Sequence, residues 1–266
     1  MKRIVLLKLG GSLITDKTKP YTARIDMIKN VSDQIRTALD RDPNLQMVIV
    51  NGTGSYAHYP AVKFGMKDGI RTENQKMGYC KVQDGAARLN RIVVGQLIRA
   101  KVQVVSIHPS SIIFSSNGNI KHIFLHSLYG FLTLRMIPVL YGDIVFDEVL
   151  GSKIYSSEQL LSHVAFDLLK RRSTAIRIIH CGSVEGVLDS QKKTIKLVTR
   201  RNFSTIRGQI QKAKGYDVTG GMIHKIEESL KLSDFGISSL IMDGTGKKNL
   251  LTQAILGESI PGTIIQ

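Results

Sequence analysis

Lys8 stands at the end of an apolar run, Ile4-Val5-Leu6-Leu7, and leads into Leu9-Gly10-Gly11-Ser12. An ammonium inside a buried strand needs an anion as partner. Glycines at a strand's carboxyl end let backbone N–H groups approach a phosphate closely. The plainer reading is a tight turn whose lysine tip reaches solvent. The spacing fits neither a Walker A loop nor a dinucleotide fingerprint. A second apolar run, Val48-Ile49-Val50, enters Asn51-Gly52-Thr53-Gly54-Ser55-Tyr56-Ala57-His58. That loop can offer N–H donors and the His58 imidazole to a second anionic group, or it is a hairpin turn with an incidental histidine. The third stretch is Gly215-Tyr216-Asp217-Val218-Thr219-Gly220-Gly221-Met222-Ile223-His224-Lys225. Here a glycine pair opens a helix, whose N-terminus favours phosphate, and Lys225 one turn inside adds a point charge. A simple capped helix start explains those glycines less well.

Two shorter pieces accompany these. Gly142-Asp143 follows an apolar run, and Ser156-Ser157-Glu158-Gln159 has the look of a helix N-cap. Glu158 is also placed to sit between lysines and hold them. His122 and His126, four apart, would share a helix face, but no HExxH glutamate accompanies them. They read as structural, and no metal-ligand set is expected. Cys181 reads as a core thiol. No Ser–His–Asp arrangement follows from the spacing.

Strands and helices must position these groups. Ile4–Leu9, Met47–Val50, Val102–Ile107, Ile137–Tyr141, Ala175–Ile179 and Ile237–Ile241 read as buried strands. Met27–Leu39, Lys81–Ala100, Glu158–Leu169 and Met222–Leu232 carry apolar residues at helical spacing. The alternation predicts an α/β sandwich around a mostly parallel sheet. Residues 184–211 are polar and basic with little periodicity, a hairpin or a cover. No repeat, linker or domain break is visible, so 1–266 is expected to form one domain, its halves flanking a cleft.

The chain has 266 residues, 42% hydrophobic and 22% charged, in the ordinary globular range. Its 37 Lys+Arg against 21 Asp+Glu give a formal charge of +16, which attracts polyanions. Nucleic acid and a phosphorylated metabolite with Mg-ATP are both candidates. The basic residues are spread rather than clustered as a nucleic-acid arm would be, and aromatics for base stacking are few. No nucleic-acid partner is therefore expected. No apolar stretch is long enough to span a bilayer, and no membrane partner is expected. The Met1-Lys2-Arg3 start is followed by too short an apolar run for a leader peptide. Two isolated cysteines, Cys80 and Cys181, build neither a disulfide framework nor a zinc cluster and fit a reducing cytoplasm.

Taken in order, these motifs resemble those of the amino acid kinase superfamily, from Lys8-Leu9-Gly10-Gly11-Ser12 to Gly262-Thr263-Ile264-Ile265. Within it the isopentenyl phosphate kinases are most similar. Gly-Ser-Leu-Ile-Thr-Asp-Lys at 11–17, the loop at 52–58 and Asp-Val-Thr-Gly-Gly-Met at 217–222 carry that likeness. The histidine at the loop's end is shared with fosfomycin kinases and absent from acetylglutamate kinases. The resemblance implies a three-layer αβα sandwich, a homodimer, and ATP with Mg²⁺. It implies an acceptor-binding lobe over roughly 1–150 and a nucleotide-binding lobe over roughly 151–266. Lys8 would hold the transferring phosphoryl group, Lys17 would stabilise the transition state, and Lys225 would sit on the nucleotide's phosphates. His58 would bind the acceptor phosphate, with Thr53, Gly54 and Ser157. Gly10, Gly11, Ser12, Gly54, Ser183, Asp217 and Gly221 would line the nucleotide's side, with Lys8 and Lys225. Glu158 falls where the family usually has an aspartate organising the lysines.

Three departures stand out. Thr53 occupies the middle of a loop that is usually Gly-Gly-Gly. Ser156-Ser157-Glu158-Gln159 replaces Ser-Gly-Asp-Asp, and Ser183-Val184-Glu185-Gly186 replaces Asp-Val-Asp-Gly. The leading expectation is phosphorylation of isopentenyl phosphate to isopentenyl diphosphate by ATP. Alternatives are a fosfomycin-type or other small-anion kinase of this fold, or a nucleotide-binding regulator with weakened catalysis.

Overall fold

A run of leucine and β-branched residues buried on both faces is the mark of a parallel sheet covered on both sides. The computed structural model, which describes residues 3–171, 175–212, 221–246 and 249–266, builds such a sheet. Its central strands are β1 (Arg3–Leu9), β2 (Gln46–Asn51), β3 (Val104–Ser106), β6 (Ile137–Tyr141), β9 (Ala175–Gly182) and β13 (Ser238–Asp243). With β12 (Leu197–Val198) and β14 (Thr263–Ile265) the order is β12-β14-β13-β9-β1-β2-β6-β3. Every pairing in it is parallel except β13 with β14.

Alternate residues of the strands face opposite layers. Val5, Leu7 and Leu9 pack with residues of α2 (Ile25–Arg41), α4 (Glu73–Arg99) and α10 (Leu250–Leu256). Ile4 and Leu6 pack with residues of α6 (His126–Thr133), α7 (Ser157–Arg171) and α9 (Gly221–Ser233). The expected three-layer αβα sandwich is thus the observed one. Lys8 shares the parity of Ile4 and Leu6 and so faces the α7 and α9 layer.

A second sheet, order β5-β4-β7-β8, joins β4 (Ile113–Ser116), β5 (Asn119–Ile123), β7 (Asp143–Asp147) and β8 (Gly151–Tyr155). It corrects the histidine pair: His122 lies in β5 opposite Phe114, whereas His126 opens α6, so they share no helix face. Asn117 and Gly118, at φ 48° and 79°, turn the chain back on itself, and strand pairing overrides the helical spacing. The 184–211 stretch resolves into the hairpin β10 (Val187–Leu188) and β11 (Thr194–Ile195), then β12 and α8 (Arg200–Lys212). The loop after β2 is likewise shorter than expected. Helix α3 begins at Gly54 and runs to Lys63, which puts His58 on a helix rather than a loop.

Candidate active site

The carboxyl ends of β1 and β2 bring two glycine loops together backbone to backbone. A Cβ built on Gly11 would lie 2.7 Å from Gly54 N, and one on Gly52 would lie 2.7 Å from Gly11 N. Only glycine allows this approach. Gly54 also needs its φ of 46°, because a Cβ there would strike Thr15 Oγ1. Buried Thr15 ties the loops. Its hydroxyl donates to Gly11 O at 2.6 Å and accepts from Ser55 N at 3.2 Å. The loops continue the sheet: Gly10 N donates to Cys181 O and Gly52 N to Leu9 O, both at 2.8 Å. Thr53 adopts φ −94° and ψ −15°, an ordinary conformation for any residue, so its Cβ brings no backbone restriction.

Beneath these loops lies an ion pair. Lys8 Nζ donates to Glu158 Oε1 at 2.6 Å, with side chains only 8% and 13% exposed. Glu158 stands on the first turn of α7. Ser156 caps that turn: Gln159 N donates to Ser156 Oγ at 3.2 Å, and Ser156 N donates to Gln159 Oε1 at 3.1 Å. Ser157 Oγ donates to the second Glu158 oxygen at 3.0 Å. Burial opposes charge on Glu158, but Lys8 and Lys225 together outweigh it and hold the carboxyl far below the usual range. Lys225, on α9, therefore belongs to the same cluster. The helix start also adjoins the end of β6 and the loop after β2. A Cβ on Gly142 would lie 3.3 Å from Ser157 N and 3.6 Å from Thr53 Cγ2.

His58 is exposed at the rim. Its pKa is lowered, first by desolvation and then by Lys17 and Lys8, with Glu158 opposing them. Those influences place Lys17, Lys8 and Glu158 around it. Lys17 itself is exposed in the turn after Thr15.

On the other side of β1, Ser12 and Ser183 meet, Oγ to Oγ at 3.0 Å. Gly244 N donates to Gly182 O at 2.8 Å, and Asp243 accepts from Thr245 N at 2.8 Å and Thr245 Oγ1 at 2.7 Å. Gly221 opens α9 nearby in sequence, while Asp217 and Gly220 lie outside the described residues. Thus Lys8, Gly10, Gly11, Ser12, Thr53, Gly54, Ser157, Glu158 and Ser183 surround the ends of β1, β2 and β9. Lys225 acts on the same carboxylate, and His58 feels both that carboxylate and Lys17. Among the described residues no three His, Cys, Asp or Glu side chains gather as a metal site.

Some participants carried no sequence signal. His180 is a lone histidine in an apolar strand, and Ser229 an ordinary helix serine; Asp243-Gly244-Thr245, a strand end running into glycine, could have been found by the same logic as Leu9-Gly10. Cys181 is buried, its thiol pushed up to about 12 by burial and Asp243. Asp143 is buried and accepts from Ser110 N at 3.0 Å and Ile144 N at 2.9 Å. It ties β7 to the short helix Pro109–Ile112 that precedes β4, and burial pushes its pKa up to about 6.

The same architecture occurs in known proteins. A solved structure described as isopentenyl phosphate kinase superposes with a TM-score of 0.82 at 27% identity, covering 99% of this chain and all of that one. The isopentenyl phosphate kinase of Methanocaldococcus jannaschii is 31% identical over 98% of both chains, and that of Methanothermobacter thermautotrophicus is 30% identical over 98% of both. Residues 3–243 match the amino acid kinase family. Paired glycine loops over a buried lysine–glutamate pair, on this sheet order and across this span of sequence, have one consistent reading: the chain belongs to the amino acid kinase family.

Proposed function

We propose that the chain transfers the γ-phosphoryl group of ATP to isopentenyl phosphate, giving isopentenyl diphosphate and ADP. The observation that carries the reading is the buried Lys8–Glu158 pair at the twin glycine loops, with Lys225 acting on the same carboxylate and Lys17 and His58 exposed beside them. An acceptor that is already a phosphate monoester needs no strong base, because its oxyanion is ionised near neutrality. It needs relief from anion–anion repulsion, which lysines, loop N–H groups and an imidazole supply. Lys8 neutralises the phosphoryl group in flight and Lys17 the charge that develops on it. Lys225, with Gly10, Gly11, Ser12, Ser183, Asp217 and Gly221, serves the nucleotide. His58, with Thr53, Gly54 and Ser157, grips the acceptor. Glu158 holds Lys8 and Lys225 apart from bulk solvent and from each other until phosphate replaces it as their partner.

A packed apolar cluster lies beside that grip, and the acceptor's tail would seat against the helices that carry it. Ala57, adjacent to His58, joins a cluster with Met66, Val82, Ala86, Tyr141 and Ile144, against which Tyr79 packs. Mg²⁺ comes on the nucleotide's phosphates and neutralises charge there, since phosphates rather than a protein cage usually hold it. Residues of roughly 1–150 serve the acceptor and roughly 151–266 the nucleotide, in one domain. A homodimer in the cytoplasm completes the proposal; among the described residues no helix is long and apolar enough to cross a membrane. Phosphorus NMR of a mixture with ATP and isopentenyl phosphate tests it. The monoester signal should give way to a coupled diphosphate pair as ADP appears. ADP and free phosphate without the pair would refute the transfer.

A further inference from the structure

One buried group at the cluster has no part in the transfer as described above. His180 lies in β9 at the register position of Lys8, 3% exposed, and its side chain shares the face of Lys8. Its Nε2 lies 3.2 Å from Ser229 Oγ. Ser229 is on α9 one turn beyond Lys225, and residues four apart share a helix face. The ring therefore spans from the sheet to the helix face that carries the nucleotide-side lysine. Its Nδ1 is buried without a hydrogen-bond partner.

The charges around the ring bear on its tautomer. The charged groups acting on the ring are Lys225 and Lys8, with Glu158 opposing them, two cations to one anion. An orphan N–H at Nδ1 would add a positive edge to a cationic surrounding, whereas a lone pair there is favoured. These surroundings favour the tautomer with the proton on Nε2, in which the ring donates to Ser229 Oγ. Burial, then the two lysines, depress the ring's pKa to about 3, so it stays neutral.

We infer that His180 is a positioning residue of the site: its bond to Ser229 seats the α9 turn of Lys225 beside Lys8, and its Nδ1 is a neutral acceptor reserved for the lysine pair. Neutrality matters. A third cation there would repel both ammonium groups, and a carboxylate would compete with the phosphates for them. The role in nucleotide binding rests on the kinase reading; the protonation state does not.

Two measurements on the full chain test this. In the ligand-free protein, histidine-selective ¹⁵N NMR should show His180 as the Nε2–H tautomer, with no titration between pH 5 and 8. An Nδ1–H tautomer, or titration near the ordinary histidine value, would overturn the inference. In kinetics, His180→Leu should raise the ATP KM by about tenfold, with the acceptor KM within about twofold. His180→Gln, which keeps both a donor and an acceptor, should recover most of that loss. Ser229→Ala should move the ATP KM in the same direction with the ring intact, and it decides the matter if His180→Leu fails to fold. A lower melting temperature with unchanged ATP KM in the folded variants would make His180 a packing residue only. A wild-type protein with no ATP turnover would refute the kinase reading while the NMR result still stood by itself.

Discussion

At the scale of single residues, Lys8 is the most exacting choice in the chain. A buried ammonium is costly unless an anion meets it, and here Glu158 does so at 2.6 Å. In the proposed transfer, Lys8 would meet the phosphoryl group as a preorganised charge. Lys8→Ala should lower kcat by on the order of 100-fold or more, the scale of losing one preorganised charge at the transition state. Single-turnover kinetics at saturating ATP would measure it, and near-normal turnover would remove Lys8 from the chemistry. His58 makes a separable prediction. In the free protein desolvation, Lys17 and Lys8 set its pKa below the ordinary histidine value. A bound dianion must raise that pKa, so acceptor binding takes up a proton. Affinity is then greatest on the acid side and falls as pH rises through the raised pKa of the complex. Above pH 7, where the monoester is already mostly dianionic, the acceptor KM should therefore rise with pH. His58→Gln should flatten that rise, and His58→Ala should raise the acceptor KM while ATP affinity barely changes. A rise that persists in the glutamine variant would assign it to another group.

At the scale of elements, what the sequence showed and what it hid have physical reasons. Ile137–Tyr141 was readable to the residue, because a five-residue run buried throughout has no competing period. Lys8, Gly10 and Gly11 were readable because a lysine and two glycines at a strand end break the apolar pattern. Helix α3 was not, since Gly54, Ser55 and Pro60 disguise a helix whose start is fixed by packing against Gly11. The second sheet was hidden too. Its strands are short and unevenly buried, β5 mostly exposed and β7 mostly buried, and Asp147 anchors them through contacts that no spacing announces. Asp147 accepts from the amides of Gly118 at 2.8 Å, Leu150 at 2.9 Å and Val149 at 3.0 Å, and from Ser115 Oγ at 2.9 Å. Burial opposes its charge, but these donors lower its pKa to about 2 from an ordinary 3.8. A carboxyl depressed on folding contributes stability above its unfolded pKa and loses it as pH falls toward the folded one. Asp147→Asn should therefore lower the melting temperature by roughly 5 °C or more at pH 7. The gap should close as pH falls from about 4 to about 2. Thermal denaturation across that range checks it, and a pH-independent gap would point to packing instead of charge.

At the scale of the whole molecule, the parallel sheet sets where a ligand can bind. β1, β2 and β9 end side by side, and the crevice beyond such carboxyl ends is where open α/β sheets take ligands. The formal charge of +16 favours anions in general and chooses none of them. In the proposed reading, choice comes from local arrangement: exposed His58 and Lys17 beside the buried Lys8–Glu158 pair, with a packed apolar cluster that includes Ala57. The substitutions at Glu158 and Ser183 keep that arrangement closed, since Glu158 reaches Lys8 and Ser183 reaches Ser12. The most direct measurement is coupled ADP release over a panel of isopentenyl phosphate, dimethylallyl phosphate, fosfomycin, acetylglutamate and carbamate. The expected result is the highest kcat/KM for isopentenyl phosphate, with acetylglutamate and carbamate at background. A higher kcat/KM for fosfomycin, or ADP release that no acceptor stimulates, would contradict the assignment.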